Sequence, residues 1–141
     1  MDHIVYLDTS SKELDNLISK EKSYIIRGAA GRKIPYNRVK EGDSLYFVNN
    51  NGEGLIKAKG LVKNTIFTDK LNEEDSCKIF DIYNKKALLT SKAISRFRGK
   101  RYLSLIEVKK FEVITPFTFD KTNFQNMDDW LIVGEISRVK I

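Results

Sequence analysis

The stretch from Glu41 to Asn64 constrains the fold of this chain more than any other. Glu41-Gly42-Asp43 is a turn signal, and Ser44 to Asn49 after it is a β-prone run. Asn49-Asn50-Asn51-Gly52 gathers residues that tolerate positive φ and marks a hairpin. Leu55 to Asn64 then alternates, with Leu55, Lys57 and Lys59 on one face and Ile56, Ala58 and Gly60 on the other, before Leu61 and Val62. This is a long half-buried strand in which Gly60 marks a bulge. The hairpin commits the chain to a sheet, and the other segments must join or cover it.

Short elements of both kinds surround it. His3 to Leu7 is β-prone and predicts a first strand. Ser10-Ser11-Lys12-Glu13 has the form of a capping box, with Glu13 reaching back to the free backbone N–H. Leu14, Leu17 and Ile18 follow at helical spacing and predict one apolar stripe on a helix of about ten residues. Tyr24-Ile25-Ile26 predicts a second strand that breaks at Gly28-Ala29-Ala30-Gly31. Asn72-Glu73-Glu74-Asp75 places acid where a helix N-terminus favours it, and Ile79, Phe80 and Tyr83 supply its apolar face. A short helix is expected from Ser91 to Arg98, with Thr90 as N-cap and Gly99 at C′. Tyr102 to Ile114 is a strand pattern that changes face midway and ends at Thr115-Pro116. Trp130 to Val133 is the last clear strand, Asp128-Asp129-Trp130 reads as a corner that either lines a cleft or, the favoured reading, simply closes the barrel, and Ile136 to Ile141 completes the domain. The expected class is α+β: a small, strongly bent mixed β-sheet or open β-barrel flanked by short helices, in a single domain over residues 1–141.

At 141 residues folding buries roughly two-thirds of the unfolded chain's surface, enough for an unassisted core. No apolar run approaches the roughly 20 residues of a membrane span. Met1-Asp2-His3-Ile4 lacks the basic start and apolar stretch of a signal peptide. The single cysteine, Cys77, leaves no internal disulfide and fits a reducing compartment, so a cytoplasmic location is expected.

The net charge of +6 is unevenly spread. Residues 23–70 hold nine Lys/Arg against four Asp/Glu, and residues 91–111 hold seven against one. The remaining segments are mildly acidic. Two positive blocks brought together by the fold would attract a polyanion and steer its approach.

Each block contains a suggestive constellation. Ser95-Arg96-Phe97-Arg98-Gly99-Lys100-Arg101-Tyr102 mixes four positive charges with two aromatic rings. Cations satisfy phosphates and exposed rings stack on unpaired bases, although a basic helix end with inward-packed rings has the same composition. Arg27-Gly28-Ala29-Ala30-Gly31-Arg32-Lys33-Ile34-Pro35-Tyr36-Asn37-Arg38 is basic and small, with one aromatic and one amide. Gly28 and Gly31 let backbone approach a ligand or make a tight turn. Tyr36 has the ring for stacking and Asn37 the donor and acceptor for a base edge. The candidate contacts are therefore Arg27, Arg32, Lys33, Arg38, Arg96, Arg98, Lys100 and Arg101 for phosphates, Tyr36, Tyr46 or Phe97 for stacking, and Asn37 for a base edge.

Catalytic chemistry has thin support. One histidine, His3 in a strand pattern, and one cysteine supply neither a zinc set nor a Cys–His pair, and no Ser-His-Asp triad is credible. No metal or cofactor is expected, because Gly28-Ala29-Ala30-Gly31 lacks the spacing of a phosphate-binding fingerprint. Asp128 and Asp129, adjacent on a strand, point to opposite faces and make no dyad.

The order of these pieces resembles the PUA-like superfamily. Gly31-Arg32-Lys33-Ile34-Pro35-Tyr36-Asn37-Arg38, followed by Gly42-Asp43 and Tyr46-Phe47, is similar to the Gly/basic loop, "GD" turn and aromatic-bearing strand of its ASCH and EVE members. Tyr102 to Val108, Phe111 to Phe119 and Trp130 continue the likeness. The resemblance implies a small curved β-barrel with a cleft for RNA or a modified base. It also implies a place for an ASCH-type Gly-x-Lys-x-x-Glu-x-Arg pattern, of which Gly31, Lys33 and Arg38 match and Tyr36 replaces the acid. Some small ASCH-like proteins are amidohydrolases of acylated pyrimidine nucleosides that rely on a lysine, a threonine and a glutamate. Lys33 offers the lysine, and no hydroxyl-and-acid set lies nearby.

The expected function is a nucleic-acid-binding module holding RNA or DNA, with a modified or flipped base in a basic-aromatic cleft. The alternatives are hydrolysis of a modified nucleoside through Lys33, and an accessory domain that meets an acidic protein partner with the same face.

Overall fold

A computed structural model describes residues 1–9, 12–19, 23–122 and 129–141. Its centre is a six-stranded sheet: β1 (Asp2–Leu7), β2 (Tyr24–Ala29), β3 (Ser44–Asn49), β4 (Leu55–Phe67), β5 (Tyr102–Thr118) and β6 (Trp130–Gly134). The spatial order is β2-β5-β4-β3-β1-β6. β1 and β3 run parallel and every other pair is antiparallel. Three short helices accompany it: α1 (Glu13–Ile18), α2 (Glu73–Ala87) and α3 (Ser91–Phe97). The result is a curled, mixed half-barrel, as the sequence predicts.

The β3–β4 hairpin forms as expected, with Leu45 opposite Gly60 and Phe47 opposite Ala58. The bulge expected at Gly60 is present as a shift in the β4–β5 register between Lys59 and Leu61. A Cβ on Gly60 would lie 2.5 Å from Val108 Cγ1, so glycine is what lets β4 and β5 close up at the bend. β5 carries the matching change of face at Lys110, whose φ is 50°.

Several local expectations are corrected. β5 does not stop at Thr115-Pro116 but continues to Thr118. Pro116 falls where the register shifts between Ile56 and Ala58, outside the paired positions, so its missing N–H costs the ladder nothing. α1 has six residues rather than about ten, and Ile18 is exposed instead of completing the stripe. Its N-cap is Lys12 in the left-handed region, without a side-chain cap bond. Ser10 and Ser11 of the expected capping box lie outside the described residues. Glu13 turns inward, where it is buried beside Arg27. α2 starts as expected, with the Asn72 side chain accepting from the Asp75 N–H at 2.8 Å.

Two apolar clusters fix the sheet and helices to one another. One joins Val5, Leu7, Leu14, Ile25, Phe47 and Trp130 under the curled sheet. The other packs α2 and α3 on the β2–β5 end through Phe80, Phe97, Tyr24 and Leu105. No helix among the described residues is long and apolar enough to cross a membrane.

Candidate nucleic-acid interface

The two basic blocks meet because of one strand pairing. Arg27, Gly28 and Ala29 of β2 lie opposite Ser104, Leu103 and Tyr102 of β5. That register carries the loop after β2 to the segment between α3 and β5. The approach is close. A Cβ on Gly28 would sit 3.0 Å from the Phe97 carbonyl oxygen and 3.0 Å from Leu103 Cδ2, which leaves room only for glycine.

Between these segments opens a shallow, solvent-open cleft. Its lining includes the buried Arg27 and Ser104, with Lys33 and Pro35 from the loop after β2 and Arg96 and Phe97 from α3. Asp129 and Trp130 of the β6 entry also line it. The expectation that this corner merely closes the barrel is therefore corrected for those two residues, while Asp128 lies outside the described residues. A second lobe shares Arg27, Arg96, Phe97 and Asp129 with the first, and adds Lys92 with the acids Asp8 and Glu13.

The loop from residue 30 to 38 is pinned at Tyr36. Its hydroxyl donates to the Thr68 carbonyl, and its buried ring makes edge contacts with Phe67 and Tyr102, at centroid separations of 5.5 and 5.4 Å. Turn bonds from the Tyr36 N–H to the Lys33 carbonyl and from the Arg38 N–H to the Pro35 carbonyl, both 3.0 Å, fix the loop's tip. Tyr36 lines the cleft as an anchor rather than as a freely exposed stacking ring.

Arg27 is nine-tenths buried. One terminal nitrogen donates to the Ile26 carbonyl and the other to the Tyr6 carbonyl, both at 3.0 Å. The latter nitrogen is also 3.8 Å from Glu13 Oε1. Its Nε–H has no hydrogen-bond partner among the described residues. Phe97, also buried, has the Arg27 and Arg96 guanidinium carbons over its ring at 5.7 and 5.0 Å. Arg96 pairs with Asp129 at 2.9 Å.

The other expected contacts are distributed unevenly. Arg32 is exposed and lies over the Tyr102 ring at 5.7 Å. Lys33, Arg38, Lys100 and Arg101 are exposed around the cleft segments, and Gly31 has open space around it. Asn37 sits exposed at φ 57° in the loop turn and does not line the cleft. Two of the expected residues have other partners. Arg98 makes a bidentate pair with Asp81 of α2, two bonds of 2.8 Å, which occupies the fork it would offer a phosphate. That pair holds the Asp81 carboxyl below the usual carboxylate range. Tyr46 is away from the cleft, half-buried and edge-on to Phe117.

Ser104, Tyr102, Asp129 and Trp130 were not among the expected contacts. The alternation of Leu103 and Leu105 does put Tyr102 and Ser104 together on the opposite face, a signal present in the sequence. Behind the cleft, the Trp130 indole N–H donates to His3 Nδ1 at 3.1 Å, and His3 Nε2 is 2.9 Å from Asp43 Oδ2. Burial lowers the His3 pKa, against a smaller opposing effect of Asp43. Among the described residues no group of three or more His, Cys, Asp or Glu is placed to hold a metal ion.

No family model matches the sequence, and no curated protein matches it. Solved structures do match in shape. A crystal structure of ASCH from Zymomonas mobilis superposes with a TM-score of 0.70 at 14% identity, over 97% of this chain and 91% of that one. A tyrosine-to-phenylalanine mutant of the same protein gives 0.70 at 14%, over 97% and 94%. A serine-to-alanine mutant gives 0.68 at 13%, over 97% and 92%. With a curled mixed sheet, three short helices and near-complete overlap in length, this chain has the ASCH-type, PUA-like fold.

Proposed function

We propose that this chain is a nucleic-acid-binding module that holds single-stranded RNA along a basic rim and takes one base into the adjoining cleft. The observation that carries this reading is the convergence of two basic segments, some seventy residues apart in the chain, on one aromatic-walled cleft. Arg32, Lys33, Arg38, Lys100 and Arg101 hold phosphates from its edge. Tyr102, half-buried beneath Arg32, supplies the ring on which a base entering the cleft rests. Single strands suit such a site, because only an unpaired base can leave its neighbours to be enclosed.

Fluorescence polarisation with single-stranded RNA, single-stranded DNA and duplex DNA across a salt series tests the proposal. Micromolar or tighter binding to RNA is expected, and Arg32→Ala/Lys33→Ala should flatten its salt slope by about 0.7 for each phosphate no longer held. Preference for DNA would reassign the polymer. Absence of binding to all three at low salt would overturn the reading.

A further inference from the structure

Most cations around the cleft can serve a phosphate, but Arg27 is built differently. It is nine-tenths buried, lines both lobes, and has both terminal nitrogens engaged by backbone carbonyls. Glu13 Oε1 is 3.8 Å away. A phosphate brought to Arg27 would therefore approach a carboxylate as well as a guanidinium, and Asp129 lines the same cleft. Arg27 beside Glu13 and Arg96 paired with Asp129 offset much of the charge at this point of the cleft, which weakens the pull on an anion there. What the Arg27 side chain still offers is its Nε–H, buried and without a hydrogen-bond partner among the described residues. A buried donor in that state is unfavourable until something accepts from it.

Ser104 is its cross-strand neighbour in the β2–β5 pairing, so the two side chains stand on the same face of the sheet. Ser104 is almost fully buried and lines the first lobe. Its hydroxyl can either donate or accept. The floor thus combines one fixed donor with one adaptable group, between walls that include Phe97 and Pro35.

We infer that Arg27 and Ser104 read the edge of a neutral, carbonyl-bearing base, so that the cleft selects uracil-like or guanine-like rings and rejects adenine. This rests on the nucleic-acid reading above and names what the cleft takes. The Arg27 donor is recessed, screened from solvent by its surroundings. An exocyclic carbonyl oxygen projects beyond its ring and reaches such a donor, whereas a ring nitrogen lies flush with the perimeter. The projecting group of adenine is an amine, which would set donor against donor. Ser104 meets the ring N–H beside the carbonyl by accepting from it.

The test is binding of oligouridylate, oligoadenylate and an abasic oligomer of equal length at one salt concentration. Wild type is compared with Ser104→Ala, Arg27→Lys and Arg32→Ala/Lys33→Ala. Thermal unfolding of each confirms that the variants fold. Arg27→Lys keeps the charge beside Glu13 and removes the Nε–H, while Ser104→Ala is a small change on a strand and serves should the lysine variant fail to fold. Wild type should bind oligouridylate about tenfold or more tightly than the other two. Ser104→Ala and Arg27→Lys should bring oligouridylate towards the oligoadenylate level with an unchanged salt slope. Arg32→Ala/Lys33→Ala should weaken all three oligomers together. Equal wild-type affinity for all three would overturn this inference and leave the nucleic-acid reading standing. So would loss of uridylate and adenylate binding in equal measure, with a flatter salt slope, in Ser104→Ala or Arg27→Lys. Failure of every oligomer to bind would overturn both.

Discussion

Trp130 donates its indole N–H to Nδ1 of His3 at 3.1 Å, and this bond decides the state of the imidazole. A nitrogen that accepts carries no proton, so the neutral ring bears its hydrogen on Nε2 and gives it to Asp43 Oδ2 at 2.9 Å. The chain Trp130–His3–Asp43 ties a residue lining the cleft to the turn that precedes β3, whose Lys40 N–H also donates to Asp43 at 3.0 Å. Charging His3 would place a proton on Nδ1 and break the bond to Trp130.

Stability should therefore fall on mild acidification. The imidazole titrates near 6.5 in the unfolded chain, and burial lowers it in the folded protein. Below that value the unfolded state takes up a proton that the folded state refuses. The contribution is fully present above about pH 6.5 and declines as pH falls towards the lowered folded value, by at most about 1.4 kcal/mol per pH unit. Urea unfolding of wild type and His3→Gln at about pH 7.5 and about pH 5 measures it. A steeper acid loss in wild type is expected. The same loss in both proteins would assign the effect to carboxylates.

Tyr36→Phe should cost about 1–3 kcal/mol, more than a surface hydroxyl would. Without the O–H, the Thr68 carbonyl is deprived of that donor, while the ring contacts with Phe67 and Tyr102 survive. Because the loop from residue 30 to 38 is anchored there, RNA affinity should fall as well, with the salt slope kept. Denaturant midpoints and polarisation titrations measure the two effects. An unchanged midpoint would remove Tyr36 as the anchor.

What could be read from the sequence was whatever one segment decides alone. Alternation over Leu55 to Val62 exposes a strand, Gly60 its bend, and Asn72 with its following acids a helix start. The cleft depends instead on pairing between β2 and β5, and nothing local in either strand announces the partner. The same limit explains Arg98, whose charge is taken up by Asp81 from another helix. It explains Ser104 too, an ordinary strand residue until Arg27 lies opposite it. Pro116 misled because a proline ends a regular ladder, whereas here it falls in an irregular step of a strand that goes on.

Gly60→Ala should destabilise the fold by about 1–3 kcal/mol through overpacking. The added methyl would lie 2.5 Å from Val108 Cγ1 and 3.4 Å from Phe47 Cε2. Val108 is β-branched and has little rotamer freedom with which to yield. Val108→Ala alone removes buried methyls and should also destabilise. The double variant should lose less than the two single changes together, since each makes room for the other. Strict additivity of the three denaturation free energies would show that the clash is absent.

Arg98 and Arg101 are exposed arginines three positions apart, but only Arg101 should contribute to the salt dependence of RNA binding. Nε and Nη2 of Arg98 are both committed to Asp81, and the pair is neutral as seen by an approaching polymer. Replacing the pair by neutral isosteres, Arg98→Gln/Asp81→Asn, keeps the net charge and should leave affinity and salt slope unchanged. Arg101→Ala should reduce the slope by about 0.7, one phosphate on a single strand. Asp81→Asn alone releases the Arg98 guanidinium and should tighten binding and steepen the slope. If the double replacement flattens the slope as much as Arg101→Ala does, Arg98 leaves Asp81 for a phosphate in the complex, and the ion pair is a resting contact rather than a fixed one.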